Sequence, residues 1–401
     1  MTAVGVANLD DDTVRLIMSK MSLDDGLGAA SICQAWKEMS RSVWGSAKLL
    51  GDSSLLYDGQ RDLCSTKRFV CPEKMALLPN GDICVVDSYY CDPHRRATIV
   101  SPAFVHKRHL PCPEPRGYPE TDWCPGEGRL EAAVCTDDIL FLSYYFPGCP
   151  GSCGRLFKYR LSDLALLAQL ESNYRVGGLA EADDDDDDQE WAQYFCVPVS
   201  LLVLDGKLYV CDAGGECGEP SVVVFDMDLK YLFTFGVCND YHLAEALGGP
   251  VAVDSLGLSL ISPSDIACHE GLIYVCESQM KCIYVFDPAG NFQRVVLCNG
   301  SRFTALGEPI RIEFARGRLL VATDVAAPTY TSNHSGLVLA LTPHGVLLQK
   351  IKLESVPYGL FAHEAEGRVY VACHVPATPD ARPHAIGHAP PVFKVHALSI
   401  L

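Results

Sequence analysis

Residues 260–297 constrain this chain more than any other stretch. They read Leu-Ile-Ser-Pro-Ser-Asp-Ile-Ala-Cys-His-Glu-Gly-Leu-Ile-Tyr-Val-Cys-Glu-Ser-Gln-Met-Lys-Cys-Ile-Tyr-Val-Phe-Asp-Pro-Ala-Gly-Asn-Phe-Gln-Arg-Val-Val-Leu. Four runs rich in β-branched and aromatic residues alternate with turn chemistry at Glu270-Gly271, residues 277–281 and Asp287-Pro-Ala-Gly290. Such a pattern predicts a four-stranded antiparallel meander with tight hairpins. A single meander cannot bury both of its faces, so it demands neighbours of its own kind.

Those neighbours are present. Pro72, residues 75–78, Asn80-Gly81 and residues 83–86 form a first copy, and residues 130–134, Asp137-Asp138 and 139–142 a second. Pro198, residues 200–203, Asp205-Gly206 and 208–211 make a third. The opening stretch is the fourth. Pro309, residues 312–314, Gly317 and 319–322 give a fifth, and Pro357, Leu360-Phe361, Gly367 and 369–372 a sixth. A third strand follows in each, at 97–100, 156–159, 222–225, 282–286, 337–341 and 392–395. Six units at a period of roughly 45 to 70 residues predict a mainly β chain, a six-bladed β-propeller with four-stranded antiparallel blades. Another antiparallel sandwich is the competing architecture.

The units resemble NHL repeats, most clearly in the fourth, through Pro-x-x-Ile-Ala, Gly-x-Ile-Tyr-Val, Ile-Tyr-Val-Phe-Asp and Gly-x-Phe. Such repeats carry Asp at the end of the second strand. Asp87, Asp212 and Asp324 keep it and Glu277 is close, whereas Tyr144 and His374 depart.

Counting strands raises a problem at the end of the chain. After residues 392–395 only six residues remain, with no turn and no hairpin partner. An open edge there is a liability. The unassigned residues 47–57 are the candidate to supply the missing outer strand. Counting loops shows an asymmetry. Connections between first and second strands, and between third and fourth, are short. Long ones join second to third strands, or one unit to the next, and both kinds emerge on the same side of a radial meander. That elaborated side is the expected target-binding face. On it the sequence places His94, Arg95, Arg96, Tyr144, Tyr145, Arg382, His384 and His388. The acidic run at residues 181–190 reads as a solvated, self-repelling loop.

The N-terminal segment follows another rule. Val14, Ile17, Met18 and Met21 recur at helical spacing behind Asp10–Asp12, acidic residues that suit a helix start. About three short helices in residues 1–46 fall below the size that folds alone. The segment resembles an F-box. Leu9, Val14, Ile17, Met21, Leu27, Ile32-Cys33, Trp36 and Val43-Trp44 carry the likeness, and Asp10 stands where that family has Pro. The resemblance implies that these residues bind a Skp adaptor, with a cullin beyond it. The expected organisation is an F-box-like helical domain at 1–46, a linker with a closing strand at 47–68, and the propeller at 69–401. A helical cap over one edge of the propeller is the plainer reading.

Charge and cysteines narrow the alternatives. A net charge of −18 argues against nucleic acid or an anionic membrane as partner. The start lacks the basic and apolar regions of a signal peptide, and no apolar run approaches the ~20 residues that span a bilayer. A cytoplasmic or nuclear protein is expected. The 19 cysteines cannot all pair within one chain, and many sit inside strand patterns, where a thiol behaves as a small apolar residue. Cys149 and Cys153 have metal-compatible spacing but no second pair, so neither metal nor cofactor is expected. No nucleophile elbow, His-Glu-x-x-His, phosphate loop or dinucleotide fingerprint occurs. The favoured expectation is a non-enzymatic substrate-recognition subunit of an SCF-type ubiquitin ligase. The alternatives are a propeller hydrolase, lactonase or lyase using channel groups such as Asp265, Glu308, Glu313 and His363, or a scaffold without ligase connection.

Overall fold

The computed structural model describes residues 49–53, 72–87, 96–101, 105–111, 129–146, 153–171, 195–215, 219–237, 260–296, 307–325, 335–353, 355–375 and 392–400. The first strand, β1, is Leu49–Ser53. Five blades then follow, each built from four consecutive strands. Blade 1 holds β2 (Pro72–Leu77), β3 (Ile83–Asp87), β4 (Arg96–Val100) and β5 (His106–Pro111). Blade 2 holds β6 (Arg129–Cys135), β7 (Ile139–Phe146), β8 (Cys153–Arg160) and β9 (Leu166–Glu171). Blade 3 holds β10 (Pro198–Leu204), β11 (Lys207–Asp212), β12 (Ser221–Asp226) and β13 (Tyr231–Phe235). Blade 4 holds β14 (Pro263–His269), β15 (Leu272–Glu277), β16 (Cys282–Phe286) and β17 (Phe292–Val296). Blade 5 holds β18 (Glu308–Ala315), β19 (Arg318–Val325), β20 (Ser335–Leu341) and β21 (Leu347–Leu353).

The last sheet is different. It contains β22 (Pro357–His363), β23 (Arg368–Val375) and β24 (Val392–Ile400), with β1 on its outer edge in the order β1-β24-β23-β22. Among the described residues there are therefore five self-contained blades, where six units were expected, and one sheet assembled from strands at both ends of the sequence. Leu49 faces Ile400, Leu50 faces Ser399 and Ser53 faces Ala397.

The innermost strands neighbour one another in the order β2, β6, β10, β14, β18, β22, and β22 returns to β2. This closed ring of radial meanders is a β-propeller. Hydrophobic cores lie between successive sheets. Tyr209, Val222 and Val224 of blade 3 meet Ile273, Val275 and Phe286 of blade 4, and Tyr274 and Ile283 meet Leu319 and Leu339 of blade 5. Each strand therefore buries alternate residues against both neighbours, which explains the near-continuous apolar runs of the second and third strands.

Local chemistry fixes the turns. Asp205-Gly206, Glu270-Gly271 and Arg316-Gly317 each have two successive positive φ angles, the primed turn that matches strand twist. Between third and fourth strands, Asp287 Oδ1 accepts the N–H groups of Ala289 and Asn291 at 2.9 Å. Asp226 does the same for Asp228 and Lys230. The tyrosine of the Tyr-Val pattern latches blade to blade. Tyr209 Oη donates to the Pro288 carbonyl at 3.0 Å, and Tyr274 Oη to that of Pro343 at 3.4 Å.

Cys84, Cys196, Cys211, Cys276, Cys282 and Cys373 are buried, and Cys135 and Cys268 are half-buried. Burial pushes the Cys84 thiol up to about 12, so it stays protonated and packs as an apolar group. No helix among the described residues is long and apolar enough to cross a membrane.

Candidate functional site

Every inner strand opens on the same irregularity. The register shifts between Pro72 and Lys74, Leu130 and Ala132, Pro198 and Ser200, Pro263 and Asp265, Pro309 and Arg311, and Pro357 and Gly359. Proline suits a strand's first residue because it has no N–H to give the ladder. The bulge that follows re-aims the next side chain. Lys74, Ala132, Ser200, Asp265, Arg311 and Gly359 therefore occupy one level of the ring. That level lies near the end where inner strands begin, the side from which the long connections leave.

Asp265 is the hub of this level. Lys74 and Asp265, on blades 1 and 4 at opposite sides of the ring, form an ion pair. Ser200 Oγ of blade 3 donates to Asp265 Oδ1 at 2.6 Å and receives Lys74 Nζ at 3.1 Å. The Ile266 N–H donates to Oδ1 at 2.9 Å, and the Ile312 N–H of blade 5 donates to Oδ2 at 2.9 Å. One carboxylate thus joins blades 1, 3, 4 and 5. Arg311 lies alongside, its Nη1 donating to the carbonyls of Ser264 at 3.2 Å and Ile310 at 3.1 Å. Asp265 and Ser200 are each 2% exposed.

Burial dominates the electrostatics. It holds the Lys74 ammonium below its ordinary range, and the Asp265 charge opposes that shift. Glu313, two residues beyond Arg311 on β18, is pushed up to about 7, first by burial and then by the charge of Asp265, against the Phe314 N–H that it accepts. An ion pair this well satisfied costs much to break from one side, because the abandoned partner stays buried and charged.

Two further carboxylates staple blades 3 and 4 to the segments that lead into them. Asp212 accepts the N–H groups of Cys196 at 2.9 Å and Val197 at 2.6 Å; burial raises its carboxyl to about 6. Glu277 does likewise for Ile261 and Ser262, and burial raises it too. This gives the acidic residue at the end of the second strand a structural role.

The expected site residues divide. Asp265 and Glu313 come together around Lys74. Glu308 sits at the start of β18 in an ion pair with Lys281 at 3.0 Å, and His363 ends β22 edge-on to Phe361, so neither joins the hub. Tyr144 is 4% exposed and meets Phe157 edge-on, so its ring belongs to the core between blades 1 and 2 and corrects its assignment to the exposed face. Alternation on β7 turns it inward. Tyr145 is half-buried, and Arg96 opens β4. His94, Arg95, Arg382, His384 and His388 lie outside the described residues, as do Leu9, Val14, Ile17, Met21, Leu27, Ile32, Cys33, Trp36, Val43 and Trp44. Among the described residues no group of three or more His, Cys, Asp or Glu is placed to hold a metal.

Lys74, Ser200 and Arg311 escaped the sequence reading. A signal for them exists: aligned on the proline that opens the inner strand, the units place these residues, Asp265 and Gly359 at the same offset.

No family model matches the sequence, and neither does any curated protein. Among solved structures, the chain is similar to the WD40 repeats of RRP9 at 9% identity and a TM-score of 0.47, covering 84% of this chain and 96% of that one. It is similar to a luciferin-regenerating enzyme at 10% identity and 0.45, covering 82% and 92%. It is also similar to an aldose sugar dehydrogenase from Streptomyces coelicolor at 13% and 0.44, covering 82% and 96%. These distant likenesses say nothing about function; the propeller rests on the sheet order and the closed inner ring.

Proposed function

We propose that this chain is the substrate-recognition subunit of an SCF-type ubiquitin ligase. In this reading residues 1–46 act as an F-box on a Skp adaptor, and the six-sheet ring of NHL-like units holds a target protein. The observation that carries the reading is where the N-terminal segment joins the ring. Leu49 pairs with Ile400, at the end of β24 that lies on the short-turn side of the disc. Residues 1–48 therefore attach at the outer rim on the plain side, while the long connections leave from the other. Adaptor and target can be bound together without competing for surface. The helical spacing of Val14, Ile17, Met18 and Met21, together with Cys33 and Trp36, supports the adaptor role. Asp10 removes one proline contact that the resemblance implies, so the adaptor interface rests more on Ile17 and Trp36.

The test is recovery of the Skp adaptor with the tagged full chain. Ile17→Asp and Trp36→Ala are each expected to abolish recovery while leaving the thermal unfolding of the propeller unchanged. Undiminished recovery with both variants, or none with the unaltered chain, overturns the reading.

A further inference from the structure

In a ring of radial sheets the outer strands stand farther apart than the inner ones, so a cleft opens at the rim between neighbouring blades. The register shows which side chains line the cleft between blades 4 and 5. On β17, Arg294 stands opposite Val285 of β16; on β21, Lys350 and Lys352 stand opposite Leu339 and Leu337 of β20. Cross-strand partners share a face, and Val285, Leu337 and Leu339 all belong to the core between blades 4 and 5. Arg294 therefore looks toward blade 5, and Lys350 and Lys352 look back toward blade 4. Both lysines are exposed. The half-buried Arg294 is already aimed: its Nη2 donates to Tyr274 Oη at 3.0 Å and to the Pro343 carbonyl of blade 5 at 3.4 Å.

Three cations thus line one cleft of a chain whose net charge is −18. Among the described residues none of the three is in an ion pair. The nearby Glu270, whose charge reaches Tyr274, stands beside His269 at 3.7 Å. The cleft between blades 2 and 3 is the contrast, because there Lys158 meets Asp228 of the next blade at 2.8 Å. Asp228 lies two places beyond the turn-capping Asp226; two places beyond the turn-capping Thr342, blade 5 has His344.

We propose that this cleft binds an extended acidic segment of a partner protein, with carboxylates at alternate positions. Lys350 and Lys352 are two residues apart on one strand, about 7 Å, which is the repeat of alternate side chains in an extended peptide. Two such carboxylates meet the lysines, and a further one meets Arg294, whose planar fork suits a carboxylate. The negative charge elsewhere does not forbid this. At about 0.15 M salt, charges beyond roughly 8 Å are largely screened, so the cations of the cleft set the field that a peptide meets. The inference rests on the propeller being a binding module, as in the proposed function, and owes nothing to the adaptor.

Fluorescence anisotropy of a labelled peptide alternating Asp and Val, titrated with the full chain, tests it. Saturable binding is expected, weakened about tenfold or more in the triple variant Arg294→Gln, Lys350→Gln, Lys352→Gln. Raising salt from about 0.05 to 0.25 M is expected to weaken it as well. Lys350→Gln with Lys352→Gln, which alters only exposed side chains, serves if the triple variant does not fold. Arg108→Gln, an exposed cation facing the cleft between blades 1 and 2, is expected to change nothing. No saturable binding to the unaltered chain, equal binding of the same peptide with Asn for Asp, or binding that the cleft variants leave unchanged overturns the inference. The triple variant is expected to recover Skp adaptor as the unaltered chain does, so failure of the adaptor reading and failure of this one are separate results.

Discussion

Blade 4 and the last sheet are built from the same strand plan, yet they are held in different ways. Blade 4 is four consecutive strands joined by short turns. It carries the hub carboxylate, the Glu277 staple, and tyrosine latches on both sides, from Tyr209 and through Tyr274. The last sheet borrows its outer strand and offers glycine to the hub. Regular repeat sequence reports local closure, whereas ring closure is a property of residues far apart. Lys74 and Asp265 are separated by 191 positions, and Leu49 and Ile400 by almost the whole chain.

The largest expected break in this comparison is Asp265→Ala. It leaves the Lys74 ammonium buried without its partner and removes an acceptor from Ser200 and Ile312. A loss of about 3–5 kcal/mol in urea unfolding is expected. A loss no greater than that of an exposed substitution would deny the hub its role.

Removal of residues 1–57 sharpens the other side. The last sheet loses β1 and exposes the edge of β24, so a loss of about 2–4 kcal/mol and concentration-dependent association are expected. Light scattering and thermal unfolding check both. An unchanged, monomeric product would mean that β1 does not close the ring.

The pH dependence comes chiefly from Glu313, with Asp212, raised to about 6, and Glu277, also raised, acting in the same direction. The Glu313 carboxyl is raised in the folded chain, so the stability it contributes is full below the ordinary glutamate range and is lost as pH rises through about 7. On the order of 2 kcal/mol should disappear across that window. Glu313→Gln is expected to remove the part of the slope nearest pH 7 and to leave the part carried by Asp212 and Glu277, and an unchanged slope near pH 7 would assign it to other groups. The smallest effect is expected from Tyr209→Phe, about 1 kcal/mol for one inter-blade hydrogen bond. Because it acts between blades 3 and 4, it should leave hydrogen exchange in the last sheet unchanged.

Much of the strand plan is legible in the sequence. The strand plan of blade 4 follows from its alternating runs and from Glu270-Gly271 and Asp287-Pro288. The shortage of strands at the C-terminus follows from counting. The hub was not legible as a cluster. Lys74, Ser200 and Arg311 sit in ordinary strand patterns, and only the bulge after each opening proline brings them to one level. The sequence marks Asp265 and Glu313 as channel candidates on the same footing as Glu308 and His363, because spacing does not tell which end of an inner strand meets the channel. Tyr144 misled because it stands near a loop while its strand alternation turns it into the core.

Mixing purified full chain with purified Skp adaptor is the sharpest test of the proposed ligase role. The mass measured by size-exclusion chromatography with light scattering should equal one chain plus one adaptor, and Ile17→Asp should return both to their separate masses. Two separate peaks from the unaltered chain, at concentrations well above those of stable complexes, would contradict it.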